Sequence, residues 1–489
     1  MEESIRSQAI SGVKWSAVSK IYMTLVSVSQ VAILARYLEK EDFGLMGIAV
    51  LVNTFCGIFV DMGLSAAAMH EQDLSKHQFS SFYWFNLFSG FVLFIIISAC
   101  SPIIAAYYHR EELVGVISLT SMSIFILSIS SLQRTMQQKQ MNFRFMSIVD
   151  IISATAALLL NVFLAISGYG VYSLVWAQLL SGILTALAYL GIAIIKERNI
   201  LFHFSIIEIK NALKIGIYQV GTASLDFISR EMDSFIISSN MPMEVFGVYT
   251  LCKNITMRIY HVINPIVTNV LTPIFAKIQG EKDRLSEAYI RTVEILGYVN
   301  FPIYGVVAVG SFSIMSILYG DSYNAYAFVM SSLAIYYAFQ SCGNPIGSLL
   351  IATGRTDRGF YWTIFRIIFM SLYLKIASVF SLNVFVICIA ITPIITSYPC
   401  WFIILKKIST IRFYDAFILP MKPFFICLLL SPISFLDNAI ESPVVSVSIV
   451  SFFFLTGYYM LNNLFRPILQ DYMLKNMLRA MVRGETEDV

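Results

Sequence analysis

Apolar residues in this chain arrive in blocks of about twenty, set apart by short charged clusters, and few folds accept such a pattern. The hydrocarbon core of a bilayer takes about 20 apolar residues per helix. A membrane β-barrel would alternate apolar and polar residues instead, so the blocks predict helices. Fourteen spans are expected, at 12–35, 44–69, 79–107, 113–133, 145–167, 170–195, 212–238, 246–275, 286–314, 326–352, 359–380, 384–405, 423–437 and 444–464. Of the 489 residues, 57% are hydrophobic and 13% charged, against roughly 25% charged in a soluble domain. Such a chain cannot cover its apolar residues with polar surface. The fold class expected is therefore an all-α integral membrane protein. The first span has acidic Glu2 and Glu3 before it rather than a basic leader, and reads as a retained helix.

Direction across the membrane follows from the basic residues. With a cytoplasmic N-terminus, the loops on that side hold 23 of the 33 Lys and Arg residues, while the opposite loops hold Arg36, Lys40 and Arg110. The positive-inside rule then places both termini in the cytoplasm, which requires an even number of helices.

A weak internal repeat divides the spans. Phe43-Gly44 opens the second helix and Phe246-Gly247 the eighth, at an offset of 203 residues. Each helix ends in a charged loop, at 70–78 and 277–284, and two more helices precede a basic connection, at 134–144 and 355–358. The expected organisation is a six-helix lobe at 1–200, a second at 201–408, a two-helix hairpin at 409–465 and a cytoplasmic tail at 466–489, with a central cavity between lobes. The tail mixes apolar and basic residues, as either a solvated end or an amphipathic helix on the anionic leaflet would.

Several chemistries are missing. No phosphate-binding G-x-x-x-x-G-K-[ST] loop occurs, nor any His or Cys spacing of a zinc site, and the seven cysteines form no CxxC pair. Loops are short, with no room for an extended catalytic surface. No enzyme activity, metal, cofactor or nucleic-acid partner is expected. The informative residues are ionisable groups inside spans, each costing a few kcal/mol unless it faces protein or water. Asp226, Arg230 and Asp233 share one face of the seventh span. They read either as a packed ion-pair network or as part of a cavity wall. Lys253 and Arg258 lie in the eighth span without acidic neighbours on their own helix, which favours cavity lining; Lys20 lies in the first and Asp61 ends the second. Cations facing a cavity suit an anionic, phosphate-bearing substrate.

The stretch Asp61-Met62-Gly63-Leu64-Ser65-Ala66-Ala67, with Asp73-Leu74-Ser75, Phe82-Tyr83-Trp84-Phe85-Asn86-Leu87, Gln133-Arg134, Asn142-Phe143-Arg144 and Gly168-Tyr169-Gly170-Val171-Tyr172-Ser173-Leu174-Val175, resembles the O-antigen and exopolysaccharide flippases of the multidrug, oligosaccharidyl-lipid and polysaccharide (MOP) exporter superfamily. The resemblance implies two six-helix bundles, often with two further helices. It implies transport of undecaprenyl-pyrophosphate-linked oligosaccharide from the inner to the outer leaflet of a bacterial plasma membrane. Related lipid II flippases hold the pyrophosphate with cations on the first, second and eighth helices. By position this makes Lys20, Lys253 and Arg258 the substrate-binding candidates here, with Arg230 a further one. The second helix departs from that pattern, offering Asp61. Asp61, Asp226 and Asp233 are candidates for carrying a coupling proton or sodium. Implied partners are the lipid-linked oligosaccharide, membrane lipid, and a polysaccharide polymerase with its chain-length machinery. Two other readings stand beside this one, a multidrug exporter of the same superfamily and a membrane-embedded polysaccharide polymerase.

Overall fold

The computed structural model describes residues 2–71, 74–197, 200–417 and 421–465, and all regular structure among them is helical. The tail at 466–489 lies outside the described residues. In chain order the helices are α1 (Glu2–Leu34), α2 (Lys40–Asp61), α3 (Leu64–His70), α4 (Lys76–Tyr108), α5 (Glu112–Lys139), α6 (Phe143–Ile166), α7 (Val171–Gly191), α8 (Ile206–Asn240), α9 (Met243–Lys277) and α10 (Lys282–Val309). There follow α11 (Ser311–Tyr319), α12 (Ala327–Cys342), α13 (Pro345–Ala352), α14 (Thr356–Phe380), α15 (Leu382–Ile395), α16 (Ser397–Cys400), α17 (Lys406–Ile408), α18 (Phe413–Phe417), α19 (Lys422–Leu430), α20 (Ser434–Ala439) and α21 (Pro443–Phe465).

Ten helical segments among the described residues are long and apolar enough to cross a bilayer, fewer than the fourteen spans expected. Part of the difference is local chemistry. The span at 44–69 breaks after Asp61, where Met62 and Gly63 take left-handed φ of 42° and 79°. The span at 326–352 breaks at Gly343 and Asn344, ahead of Pro345 in the first turn of α13. Proline tolerates that position because its missing N–H has no intrahelical acceptor there. At 1.5 Å per residue, α8 and α9 would each extend roughly 50 Å, well beyond a ~30 Å core, but ionised side chains interrupt their middles.

The chain forms two compact units. Among the described residues, the first holds those of 2–258, 318–320 and 360–385, and the second those of 259–317, 321–359 and 386–465. In the first, α4 and α5 pack antiparallel along a seam of small and polar residues. Asn86 Nδ2 donates to Ser131 Oγ at 2.6 Å, Ser98 and Ser121 hydroxyls meet at 3.0 Å, and those of Ser101 and Ser118 at 2.9 Å. Gly90 lies directly against Ser128. Lipid tails are as apolar as leucine, so close backbone approach and interhelical hydrogen bonds take over from hydrophobic burial in joining helices. In the second unit, Val309, Val450 and Phe454 form a core between α10 and α21, and Phe301, Phe339 and Phe424 meet ring against ring. Buried Asp437 ties α20 into this unit by accepting from the Ser313 backbone N–H at the start of α11 and from Ser446 Oγ on α21.

The residues that the repeat pairs across 203 positions meet each other reciprocally. A Cβ on Gly44 would stand 2.5 Å from the Met243 carbonyl oxygen, and one on Gly247 would stand 1.9 Å from that of Lys40. Lys40 Nζ reaches Glu244 Oε1 at 2.9 Å beside this crossing, and Phe43 and Phe246 are both buried. At the other end of α2, Gly63 and Gly216 of α8 approach as closely, a Cβ on Gly216 falling 1.6 Å from the Met62 carbonyl oxygen. Backbone lies against backbone at both ends, so no side-chain rotamer can relieve an added group. Gly247→Val is expected to lower stability by about 1–3 kcal/mol, the usual cost of overpacking, seen as a lower thermal unfolding midpoint of the detergent-solubilised protein. Gly57→Ala, where nothing lies within 4 Å, should leave that midpoint unchanged or raised.

Candidate functional site

Two long helices carry most of the singled-out charges. They form an antiparallel hairpin that turns through Met241 and Pro242, where the Met241 N–H still closes onto the Ile237 carbonyl at 3.0 Å. Along α8, Lys214, Tyr218, Thr222, Asp226 and Arg230 recur every fourth residue and all are exposed. Positions four apart share a helix face, so these side chains form one polar stripe. Arg230 Nη2 and Asp226 Oδ2 pair at 2.8 Å with side chains 60% and 55% exposed. α8 is not among the ten segments apolar enough to cross a bilayer, and in bare hydrocarbon each ion of so open a pair would cost a few kcal/mol unless water reached it.

Asp233 belongs to the same face by angle yet is buried. The cause is position along the axis: from Phe227 onward α8 is increasingly packed, and Ser229, Asp233, Ser234, Ile236, Ile237 and Ser238 are all withdrawn from the surface. Asp233 turns to α9 rather than to Arg230. Lys253 Nζ donates to Glu231 Oε2 at 2.8 Å, Asp233 Oδ1 at 3.0 Å and Ser234 Oγ at 2.8 Å. Ser234 Oγ donates in turn to Glu231 Oε2 at 2.9 Å, and the Tyr249 hydroxyl donates to Asp233 Oδ2. Lys253, a cation without an acidic neighbour on its own helix, thus has two acidic partners on the neighbouring one.

The remaining candidates are separate from this cluster. Arg258 lies a little over one turn beyond Lys253, half-buried, with no hydrogen bond or ion pair among the described residues, and Tyr319 lies nearby. Tyr319 itself donates to the Leu251 carbonyl at 3.1 Å. Lys20 is exposed on α1 and its side chain has no partner among the described residues. Asp61 accepts from the backbone N–H of Ser65 at 3.1 Å and from its hydroxyl at 2.6 Å, capping the start of α3 across the Met62-Gly63 break. The sequence reading passes over Glu231 and Tyr249. Glu231 had a signal, being the fourth charged residue within eight on α8; Tyr249 had none, since a phenol one turn before Lys253 is unremarkable until α8 is placed beside it.

Outside the expected spans, the segment leading into α8 is fixed to the start of α4. Trp84 Nε1 donates to the Leu201 carbonyl at 2.8 Å, and Ser81 Oγ donates to Glu208 Oε2 at 2.5 Å. The Ser81 hydroxyl bond, helped by His203, holds the Glu208 carboxyl below its usual range. No cluster of three or more potential metal ligands occurs among the described residues.

Removing the ammonium at 253 would strand two carboxylates that it now satisfies. Lys253→Met is expected to cost about 3–5 kcal/mol, as breaking a buried ion pair from one side does, and to reduce the amount of folded protein recovered from membranes. Lys253→Met combined with Glu231→Gln and Asp233→Asn should regain much of that loss, measured by thermal unfolding of the purified variants.

Residues 33–328, more than half of the chain, match the family model described as polysaccharide biosynthesis protein. The teichuronic acid biosynthesis protein TuaB of Bacillus subtilis is 31% identical over 365 residues, covering 73% of this chain and 74% of that one. The lipopolysaccharide biosynthesis protein WzxC of Escherichia coli is 26% identical, covering 74% of each. The succinoglycan biosynthesis transport protein ExoT of Rhizobium meliloti is 23% identical over 75% of this chain and 74% of its own. Among solved structures, the lipid II flippase MurJ in an inward closed conformation superposes with a TM-score of 0.69 at 16% identity, covering 94% of this chain and all of that one. An inward-facing multidrug resistance transporter of the MATE family scores 0.60 at 14% identity, covering 84% and 95%. On the family match and the relative that is 31% identical over 73% of the chain, this chain belongs to the polysaccharide biosynthesis protein family, and it has the fold of the MOP transporter superfamily.

Proposed function

We propose that the protein is a flippase that carries undecaprenyl-pyrophosphate-linked oligosaccharide from the inner to the outer leaflet of a bacterial plasma membrane, for assembly of a cell-surface polysaccharide. The observation that carries this reading is Arg258, a half-buried guanidinium with no hydrogen bond or ion pair among the described residues. An unsatisfied cation there is costly unless a ligand supplies the anion, and guanidinium geometry matches phosphate oxygens. Relatives named for teichuronic acid, lipopolysaccharide and succinoglycan biosynthesis support the glycan class. Likeness to a lipid II flippase supports a substrate whose lipid tail stays in the membrane.

In this reading Arg258 grips the pyrophosphate, and Lys20 and Arg230 of the exposed stripe are secondary contacts for headgroup or sugar. Lys253 acts from behind, holding α8 to α9. The two six-helix lobes, 1–200 and 201–408, alternate access around the substrate under an ion gradient or the membrane potential, and the hairpin at 409–465 accompanies the second lobe. Both termini are cytoplasmic. A polymerase and chain-length machinery receive the product on the far side, and the protein itself makes no covalent bond.

Arg258→Ala removes a charge-assisted hydrogen bond of about 1.5–3 kcal/mol, so surface polysaccharide should fall by roughly ten- to a hundredfold at unchanged protein level in the membrane. Arg366→Ala, whose Nη2 only touches the Ser229 carbonyl at 3.3 Å, should have little effect. In a deletion strain, lipid-linked repeat units should accumulate on the inner leaflet. The fold shared with multidrug exporters makes drug export the competing reading; altered drug susceptibility with normal surface glycan after deletion would decide for it.

A further inference from the structure

The connection that leads into α8 carries large apolar side chains outside every expected span. Phe202 is wholly exposed, Ile207 84%, Ile206 66% and Phe204 51%. Segments that join helices run over the surface, and neighbouring apolar side chains this open mark a contact surface.

The patch is held in place. Leu201 N–H donates to Ser80 Oγ at 2.8 Å, the Leu201 carbonyl accepts from Trp84 Nε1, and Ser205 N–H donates to Ser81 Oγ at 3.0 Å. Residues 201–205 take no regular structure, and their exposure alternates: Leu201, His203 and Ser205 are partly buried, while Phe202 and Phe204 are open. His203 rests on the His77 ring with centroids 4.6 Å apart, and the Phe202 ring lies 5.7 Å from that of Trp84 with the planes 26° apart. The bonds to α4 therefore fix which side chains of the connection point away from the protein.

Depth follows from α4. Its 33 residues extend roughly 50 Å, so that a helix centred on a ~30 Å hydrocarbon core overhangs it by roughly 10 Å at each end. Trp84 stands roughly 12 Å along α4 from Lys76, at the edge of the core, where tryptophan is enriched. Phe202 shares that depth.

Two exposed lysines frame the patch. Lys76 is the first residue of α4, where the helix dipole disfavours a cation. Lys210 follows Ile206 by about one turn of α8. Neither ammonium has a carboxylate partner among the described residues.

We infer that residues 202–207 form a lipid anchor, in which Phe202, Phe204, Ile206 and Ile207 insert at the boundary of one leaflet while Lys76 and Lys210 take the phosphate of an anionic phospholipid. Interfacial segments join apolar side chains to lysines in this way. A lysine stem can lie along the apolar surface while its ammonium reaches the headgroups, and each such cation adds attraction to an anionic leaflet. The basic side is also the one that the positive-inside rule assigns to the cytoplasm, whose leaflet carries the anionic lipid. A soluble partner could not reach side chains at the depth of Trp84 without entering the bilayer. The anchor holds whatever the protein transports.

The test uses full-length protein, one copy per lipid nanodisc of phosphatidylcholine mixed with phosphatidylglycerol. A nitroxide is attached at position 204 in Phe204→Cys after the seven native cysteines are replaced by alanine. Dissolved oxygen, which concentrates in lipid, should relax its signal more than a water-soluble nickel complex does. A label in Gly280→Cys, at the exposed turn after α9, should show the reverse. A label at 204 that meets nickel as readily as the one at 280 would overturn the inference and leave the patch to a protein partner. Should the cysteine-free protein fail to fold, Phe204→Trp in the natural chain decides. Brominated phosphatidylcholine should quench its added fluorescence, and quenching no greater than in the unaltered protein would equally overturn the anchor. The headgroup is tested by lipid exchange. Replacing phosphatidylglycerol by phosphatidylcholine should lower the thermal unfolding midpoint, and Lys76→Gln with Lys210→Gln should cut that drop by roughly half. An equal drop in both proteins would refute the anionic headgroup.

Discussion

Hydrocarbon offers no hydrogen-bond partner, and many of the polar side chains on the helices of this chain are answered by another protein group. Serines and Asn86 along the α4–α5 seam answer one another across the interface. Asp437 answers the backbone N–H of Ser313 in the first turn of α11. Lys253 is answered three times over by α8. Against that background stand out the exposed pair of Asp226 and Arg230 and Arg258, which has no hydrogen bond or ion pair among the described residues.

The same constraint explains how far the sequence could be read. Backbone hydrogen bonding must be satisfied within each segment in lipid, so a block of twenty apolar residues has almost one outcome, and helices such as α5, α6 and α7 follow from composition alone. Breaks are subtler. The left-handed pair Met62 and Gly63 is announced only by one glycine inside the Asp61-Met62-Gly63-Leu64 motif, and Asp61, read as a functional carboxylate, is also the cap that lets the chain restart after the break. Helical angle placed Asp226, Arg230 and Asp233 on one face, yet the depth at which α8 enters packing separates the last from the other two. Pairing between helices was beyond reach: Lys253 and Asp233 are brought together by the register of a hairpin, which depends on the turn at Met241 and Pro242 and on no periodicity within either helix.

The repeat, by contrast, was a faint sequence signal with a sharp structural counterpart. Gly44 and Gly247 are each too close to the other helix's backbone to carry a side chain, and the carbonyls they meet belong to Met243 and Lys40, which are themselves repeat mates. A two-fold relation produces such reciprocity naturally, whereas two unrelated helices crossing by chance would place the paired glycines at different heights. What the shared Phe-Gly marks in the structure is a pair of close backbone approaches at one helix crossing.

This crossing also gives the buried cluster mechanical meaning. Tyr249 lies two residues beyond Gly247 on α9 and Lys253 six, so the helix that is locked to α2 by bare backbone is held to α8 by charge within two further turns. The glycine contact is steric, with no side chain that could rearrange. The charged contact runs through side chains, Lys253 reaching Glu231, Asp233 and Ser234 of α8, so α9 is joined to α2 by shape and to α8 by charge.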